Sequence, residues 1–218
     1  MTTSSTEVVY LEDIMWGESK PPQDLEKALL GVGIPKRYLD STFANFEAQG
    51  GSKTALEASM EWAKAPIGER GLLFVGPPGT GKTHLAVASV REKVAAGLGG
   101  VRFINVPIFL DRIRQSMKYN DPEVMNLFDF CLTRASVVVL DDLGKEKATD
   151  WAAERLYVLV ESRYSACLAT IATTNRGLDE LDALGYGALI SRLQQTCRAI
   201  KVGGDDQRIR LGRLDGRA

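Results

Sequence analysis

The residues with the clearest chemical use lie at positions 71–83, which read GLLFVGPPGTGKT. Gly76, Gly79, Gly81, Lys82 and Thr83 fill the phosphate-loop spacing G-x-x-x-x-G-K-[ST], with Pro77, Pro78 and Thr80 between them. Glycines at these places let several backbone N–H groups turn inward around a phosphate, where side chains would obstruct it. The Lys82 ammonium would reach the β- and γ-phosphates of a nucleotide such as ATP, and the Thr83 hydroxyl would hold Mg²⁺. A glycine-rich turn with no ligand could carry the same letters. Here the run Leu72, Leu73, Phe74, Val75 precedes it as a buried strand would, and a helical pattern begins near Lys82, bringing the positive end of its dipole.

A second set of polar residues closes apolar runs further along. Val137 to Leu140 is β-branched and continuous, as suits a strand buried on both faces, and it ends in Asp141 and Asp142. At the carboxyl end of a parallel strand these acids would face the ligand crevice. Asp141 is expected to support the metal, and Asp142 to orient or deprotonate the attacking water. Thr173-Thr174-Asn175 repeats the pattern, and Asn175 could hold that water or merely start a turn. Arg192, within ISRL, reads either as a solvated helix residue or as a cation entering a neighbour's nucleotide site.

These residues need a sheet to hold them together. Strands are expected at 72–75, 101–106, 136–140, 168–173 and 198–202, with helices at 24–31, 53–65, 82–96, from 107 to about 118, from 121, at 150–164 and at 188–195. Strands alternating with helices indicate an α/β fold with a mainly parallel sheet. Leu56, Met60 and Ala63 would form one helix's inner face, and Ile108, Leu110 or Phe109, Ile113 and Met117 that of another.

At 218 residues, 44% apolar and 25% charged, the chain suits one domain with a short appendage. A net charge of −1 gives no global pull toward nucleic acid, so any such contact must use a local patch. Cys131, Cys167 and Cys197 form no C-x-x-C pair and read as small apolar residues, pointing to a cytoplasmic protein. His84 is the only histidine, which disfavours a His-based metal site. No signal peptide is evident, and no apolar run approaches the ~18 residues of a membrane span. Residues 1–30 carry six acids against two lysines, and within them Tyr10 and Trp16 lie in an apolar cluster that either docks on its own core or anchors a partner.

The ordered set GPPGTGKTHLA, VVVLDDLG, ATTN and ISRL, preceded by GIPKRYLDSTFANF, resembles an AAA+ ATPase of the DnaC/IstB group over about residues 33–210. The resemblance implies a five-stranded core with helices on both faces and a reduced C-terminal lid. It also implies ATP and Mg²⁺ at a subunit edge, and self-association through that site. It carries Asn175 to the sensor role and Arg192 to the arginine-finger role, and leaves Arg208 a late arginine of open role. Arg112, Arg114 and Lys118 fall where related initiators contact single-stranded DNA. The implied layout is an arm at 1–32, the ATPase domain at 33–210 and a basic tail at 211–218.

The group contains loaders that deliver a replicative helicase and ATPase helpers of transposons acting on duplex DNA. The short N-terminal region favours a loader. Asp142 stands where AAA+ proteins generally carry Glu, which draws the carboxylate back by one C–C bond and predicts slow hydrolysis. A small-molecule kinase fits the tandem acids poorly, whereas an assembly module that binds ATP but barely hydrolyses it stays compatible with Asp142.

Overall fold

Five short strands pair into one sheet: β1 (Gly71–Val75), β2 (Val101–Asn105), β3 (Val137–Leu143), β4 (Ala169–Thr174) and β5 (Cys197–Lys201). Their order is β2-β3-β4-β1-β5, and every pairing is parallel. The computed structural model describes residues 20–68, 70–119, 121–204 and 206. The readings on Tyr10, Trp16, Arg208 and the basic tail fall outside these.

The two-residue period of each strand sends side chains to opposite faces. Leu73, Ile104, Val138, Leu140 and Ala172 join one buried cluster, with residues of α4 (Val106–Tyr119), α5 (Pro122–Thr133), α6 (Asp150–Ser165) and α8 (Gly187–Thr196). Leu72, Phe74, Phe103, Val139, Ile171 and Ile200 join the other, under α1 (Leu25–Gly31), α2 (Ser52–Lys64) and α3 (Lys82–Ala95). A sheet covered on both faces explains the near-continuous apolar strands.

Local signals start the helices as expected. Asp121 caps α5 by accepting from the Glu123 amide at 3.0 Å with Pro122 in the first turn, and Thr149 caps α6 through the Ala152 amide at 3.2 Å. The start of α3 differs. Its N-cap is Gly81, with no side-chain cap, so the first amides of this 14-residue helix are left for a ligand.

Three expectations about burial are corrected. On α2 the buried residues are Ser52, Ala55, Ala58 and Ser59, whereas Met60 is 36% exposed; small side chains let α2 lie close to its neighbours. On α4 the buried stripe is Val106, Phe109, Leu110, Ile113 and Ser116, so Ile108 and Met117 face outward at 62% and 59% exposure. The helix begins one residue before Pro107, and Val106 heads its buried stripe. Cys131 and Cys197 are buried, but Cys167 is exposed at a left-handed turn with φ 54°.

Candidate nucleotide site

The loop after β1 turns back at Gly79 (φ 77°) and Gly81 (φ 89°), conformations that disfavour any side chain. A Cβ on Gly81 would strike the Phe46 ring, and one on Gly79 would strike the Asp206 carboxylate. The aromatic lead-in therefore packs directly on the phosphate loop. Phe46 also meets His84 at 5.3 Å between ring centroids, and His84 Nε2 lies 2.7 Å from the Thr42 carbonyl oxygen. Lys82 is buried, and its Nζ donates to the carbonyls of Gly76 (2.8 Å) and Pro77 (2.6 Å). Thr80 Oγ1 donates to the Pro77 carbonyl at 2.9 Å, closing the loop on itself.

Sheet order brings the second set of residues to this loop. β4 lies between β1 and β3, so the carboxyl ends of all three open on one edge. The Thr83 hydroxyl donates to Asp141 Oδ1 at 2.8 Å, joining residues 58 positions apart. Burial raises the Asp141 carboxyl above its usual value, hydroxyl bonds from Thr83 and Thr173 oppose this, the Asp142 charge adds to it and Lys82 counters it.

Asp142 has a φ of 61° in an irregularity of the β3–β4 ladder. Its carboxylate accepts from Asn175 Nδ2 at 3.3 Å and from Lys145 Nζ at 3.2 Å. Left-handed backbone in a residue with a Cβ is unusual and tends to occur at working sites. An arginine beside Asn175 ties the same loops together: Arg176 Nε donates to the Gly144 carbonyl at 2.6 Å, and its guanidinium pairs with Glu180. Glu146 accepts from the Gly144 amide and from the Tyr186 hydroxyl at 2.8 Å.

Lys82, Thr83, Asp141, Asp142 and Asn175 are thus brought together. A cleft of about 630 Å³, lined by Pro77, Pro78, Asn175, Leu178, Ile200 and Lys201 among others, opens beside them. Arg192 is held elsewhere: it donates to Glu161 on α6 at 2.5 Å and to Gln195 at 3.0 Å, with the Tyr164 ring beneath it at 4.7 Å. Arg112, Arg114 and Lys118 are exposed on α4, with Arg114 over Trp151 at 4.8 Å and Lys118 over Tyr119 at 5.1 Å.

Sequence patterns missed Lys145, Glu146, Arg176 and Tyr186, because none sits in a spaced motif or at a strand end. Thr173 was visible only as part of the threonine pair before Asn175.

A phosphate loop facing an acid pair and an asparagine on neighbouring strands of this five-stranded parallel sheet defines an AAA+ P-loop nucleotide domain. The chain belongs to the IstB-like ATP binding protein family, whose model matches residues 45–214. It is 28% identical over 149 residues to an insertion sequence IS5376 protein of Geobacillus stearothermophilus that is named as ATP-binding, covering 66% of this chain and 57% of that protein. It is 24% identical over 164 residues to the replicative helicase loader DnaC of Escherichia coli strain K12, covering 74% and 66%. The chain therefore spans somewhat more than half of these relatives. Among solved structures, the DnaC helicase loader superposes with a TM-score of 0.67 at 27% identity, covering 78% of this chain and all of that one. The initiator DnaA bound to AMPPCP and single-stranded DNA shares the fold, with a TM-score of 0.67 at 18% identity. Among the described residues, no helix is long and apolar enough to cross a membrane.

Proposed function

We propose that this protein is an ATP-dependent helicase loader acting in DNA replication, a slow ATPase that binds ATP-Mg²⁺ and single-stranded DNA and delivers a replicative helicase. The observation that carries the reading is the convergence of Lys82, Thr83, Asp141, Asp142 and Asn175 at one sheet edge. Residues 76–83 would cradle the phosphates, with the uncapped start of α3 supplying amides. The Thr83 hydroxyl and Asp141 carboxylate are oxygen donors 2.8 Å apart, a set that suits Mg²⁺, and these two residues would hold it. Mg²⁺ supplies charge neutralisation of the phosphate oxygens.

Asp142 would accept a hydrogen bond from the attacking water while Asn175 fixes the carboxylate that receives it. Lys145 competes for the same carboxylate, which supports slow turnover. Arg192 would act on a neighbouring copy, since its partners here all lie on α6 and α8. The exposed cations of α4, with the exposed Tyr119 ring beside Lys118, suit a single strand, whose phosphates need charge and whose bases stack on rings.

The likeness to DnaC over the whole of its solved chain supports loading. The family model and the IS5376 relative support a second reading, a transposition helper ATPase acting with a transposase on duplex DNA. Capture of the host's replicative helicase by the purified protein, with ATP, with ADP and with neither, separates them. Nucleotide-sensitive capture is expected; no capture in any state, with binding to duplex DNA and transposase instead, selects the second reading.

A further inference from the structure

Across the β3–β4 ladder, Leu140 pairs with Ala172 and Leu143 with Thr174, so Asp141 and Asp142 together face the single residue Thr173. Two residues against one is a bulge, and bulges re-aim side chains. Thr173 is 1% exposed, and its hydroxyl serves both acids: it accepts the Asp142 amide at 3.1 Å and donates to Asp141 Oδ1 at 2.8 Å. An amide can only donate, so the single hydroxyl proton is left for Asp141.

The other threonines of β4 serve the fold. Thr170 accepts from the buried Arg163 guanidinium, and Thr174 donates to the Leu143 carbonyl. Valine would suit a buried strand at 173 as well as threonine does, so the hydroxyl is there for its partners.

We infer that Thr173 is a positioning residue for the metal–nucleotide site. It fixes the rotation of the Asp141 carboxylate and holds the left-handed Asp142 backbone that aims the second acid. This rests on reading Asp141 as the metal-holding residue. Asp141 keeps one hydroxyl bond, from Thr83, when Thr173 is changed; what it loses is the bond that ties it to the bulge.

The test is the affinity of a fluorescent, non-hydrolysable ATP analogue, measured in EDTA and in Mg²⁺. The wild type is expected to bind more tightly in Mg²⁺. Thr173→Val and Thr173→Ala should match the wild type in EDTA, showing a folded phosphate loop, while losing roughly 10-fold of the Mg²⁺-dependent gain, the scale of one hydrogen bond to a charged group. Thr173→Ser, which restores the hydroxyl, should keep that gain within about 2-fold. A full gain in the valine and alanine variants, or an equal loss in the serine variant, overturns the inference. A wild type with no Mg²⁺-dependent gain overturns the metal site itself, and the role of Thr173 with it.

Discussion

Arg192 is bound within its own chain, its Nε 2.5 Å from Glu161 Oε2. The carboxylate keeps the guanidinium charged by raising its pKa further. To act on a neighbour's nucleotide, Arg192 must exchange Glu161 for phosphate. Arg192→Ala is expected to leave ATP binding by the isolated chain unchanged and to lower turnover of the assembly on the order of 1,000-fold. Mixing it with Asp142→Asn should restore part of that turnover, since one variant keeps the finger and the other the acid. No rescue would contradict action in trans.

A different arginine holds the core. Arg163 is fully buried and donates to the carbonyls of Cys131, Ala135 and Ala169 and to the Thr170 hydroxyl. Burial lowers its pKa to about 10. It thereby ties the end of α5 to the start of β4. Arg163→Met leaves several buried acceptors unpaired and should cost on the order of 3 kcal/mol or more, lowering Tm by roughly 6–12 °C. Calorimetry checks this.

The three thiols should separate by reactivity and pH. Burial pushes Cys131 up to about 11 and Cys197 up to about 12. Cys167 is exposed. A thiol reagent at pH 8 should therefore label Cys167 rapidly and the other two only on unfolding. Because both buried pKa values lie above the ordinary thiol value near 9, the folded chain keeps protons that the unfolded chain releases. Their stabilisation is full below pH 9 and is lost as pH rises through 11 to 12, so Tm should fall across that window. Cys131→Ala combined with Cys197→Ala should flatten the fall.

On α4, Arg112, Arg114 and Lys118 are proposed phosphate contacts. Each change to Ala should weaken binding to single-stranded DNA uniformly across sequences. It should also reduce the slope of log K against log [salt] by about 0.7. An unchanged slope for all three would move the DNA contact off this helix.

Much of this site was legible from residue types. The loop at 76–83, Asp141, Asp142 and Asn175 announced themselves because strand ends and glycine spacing are local signals. What escaped depends on pairing between strands. The apolar run stops at Leu140, yet β3 continues to Leu143, because Thr173 and Thr174 bond the next backbone groups. The outward turn of Ile108 and Met117 is decided by which side of α4 packs on the core, and several apolar spacings on that helix offered a stripe. The kink within Asp182–Tyr186, where Gly185 leaves helical geometry at φ 89°, carries no periodicity that could have revealed it. Arg163 belongs to no spaced motif, and its place is set by the carbonyls of Cys131, Ala135 and Ala169 around it.

The phosphate loop and the two acids are proposed to act together on ATP. This is tested most directly by ATP binding and turnover for the wild type, Lys82→Ala and Asp142→Asn. Slow turnover by the wild type, loss of binding in Lys82→Ala, and retained binding with turnover reduced at least ~100-fold in Asp142→Asn are expected. Unchanged ATP affinity in Lys82→Ala, or undiminished turnover in Asp142→Asn, would contradict it.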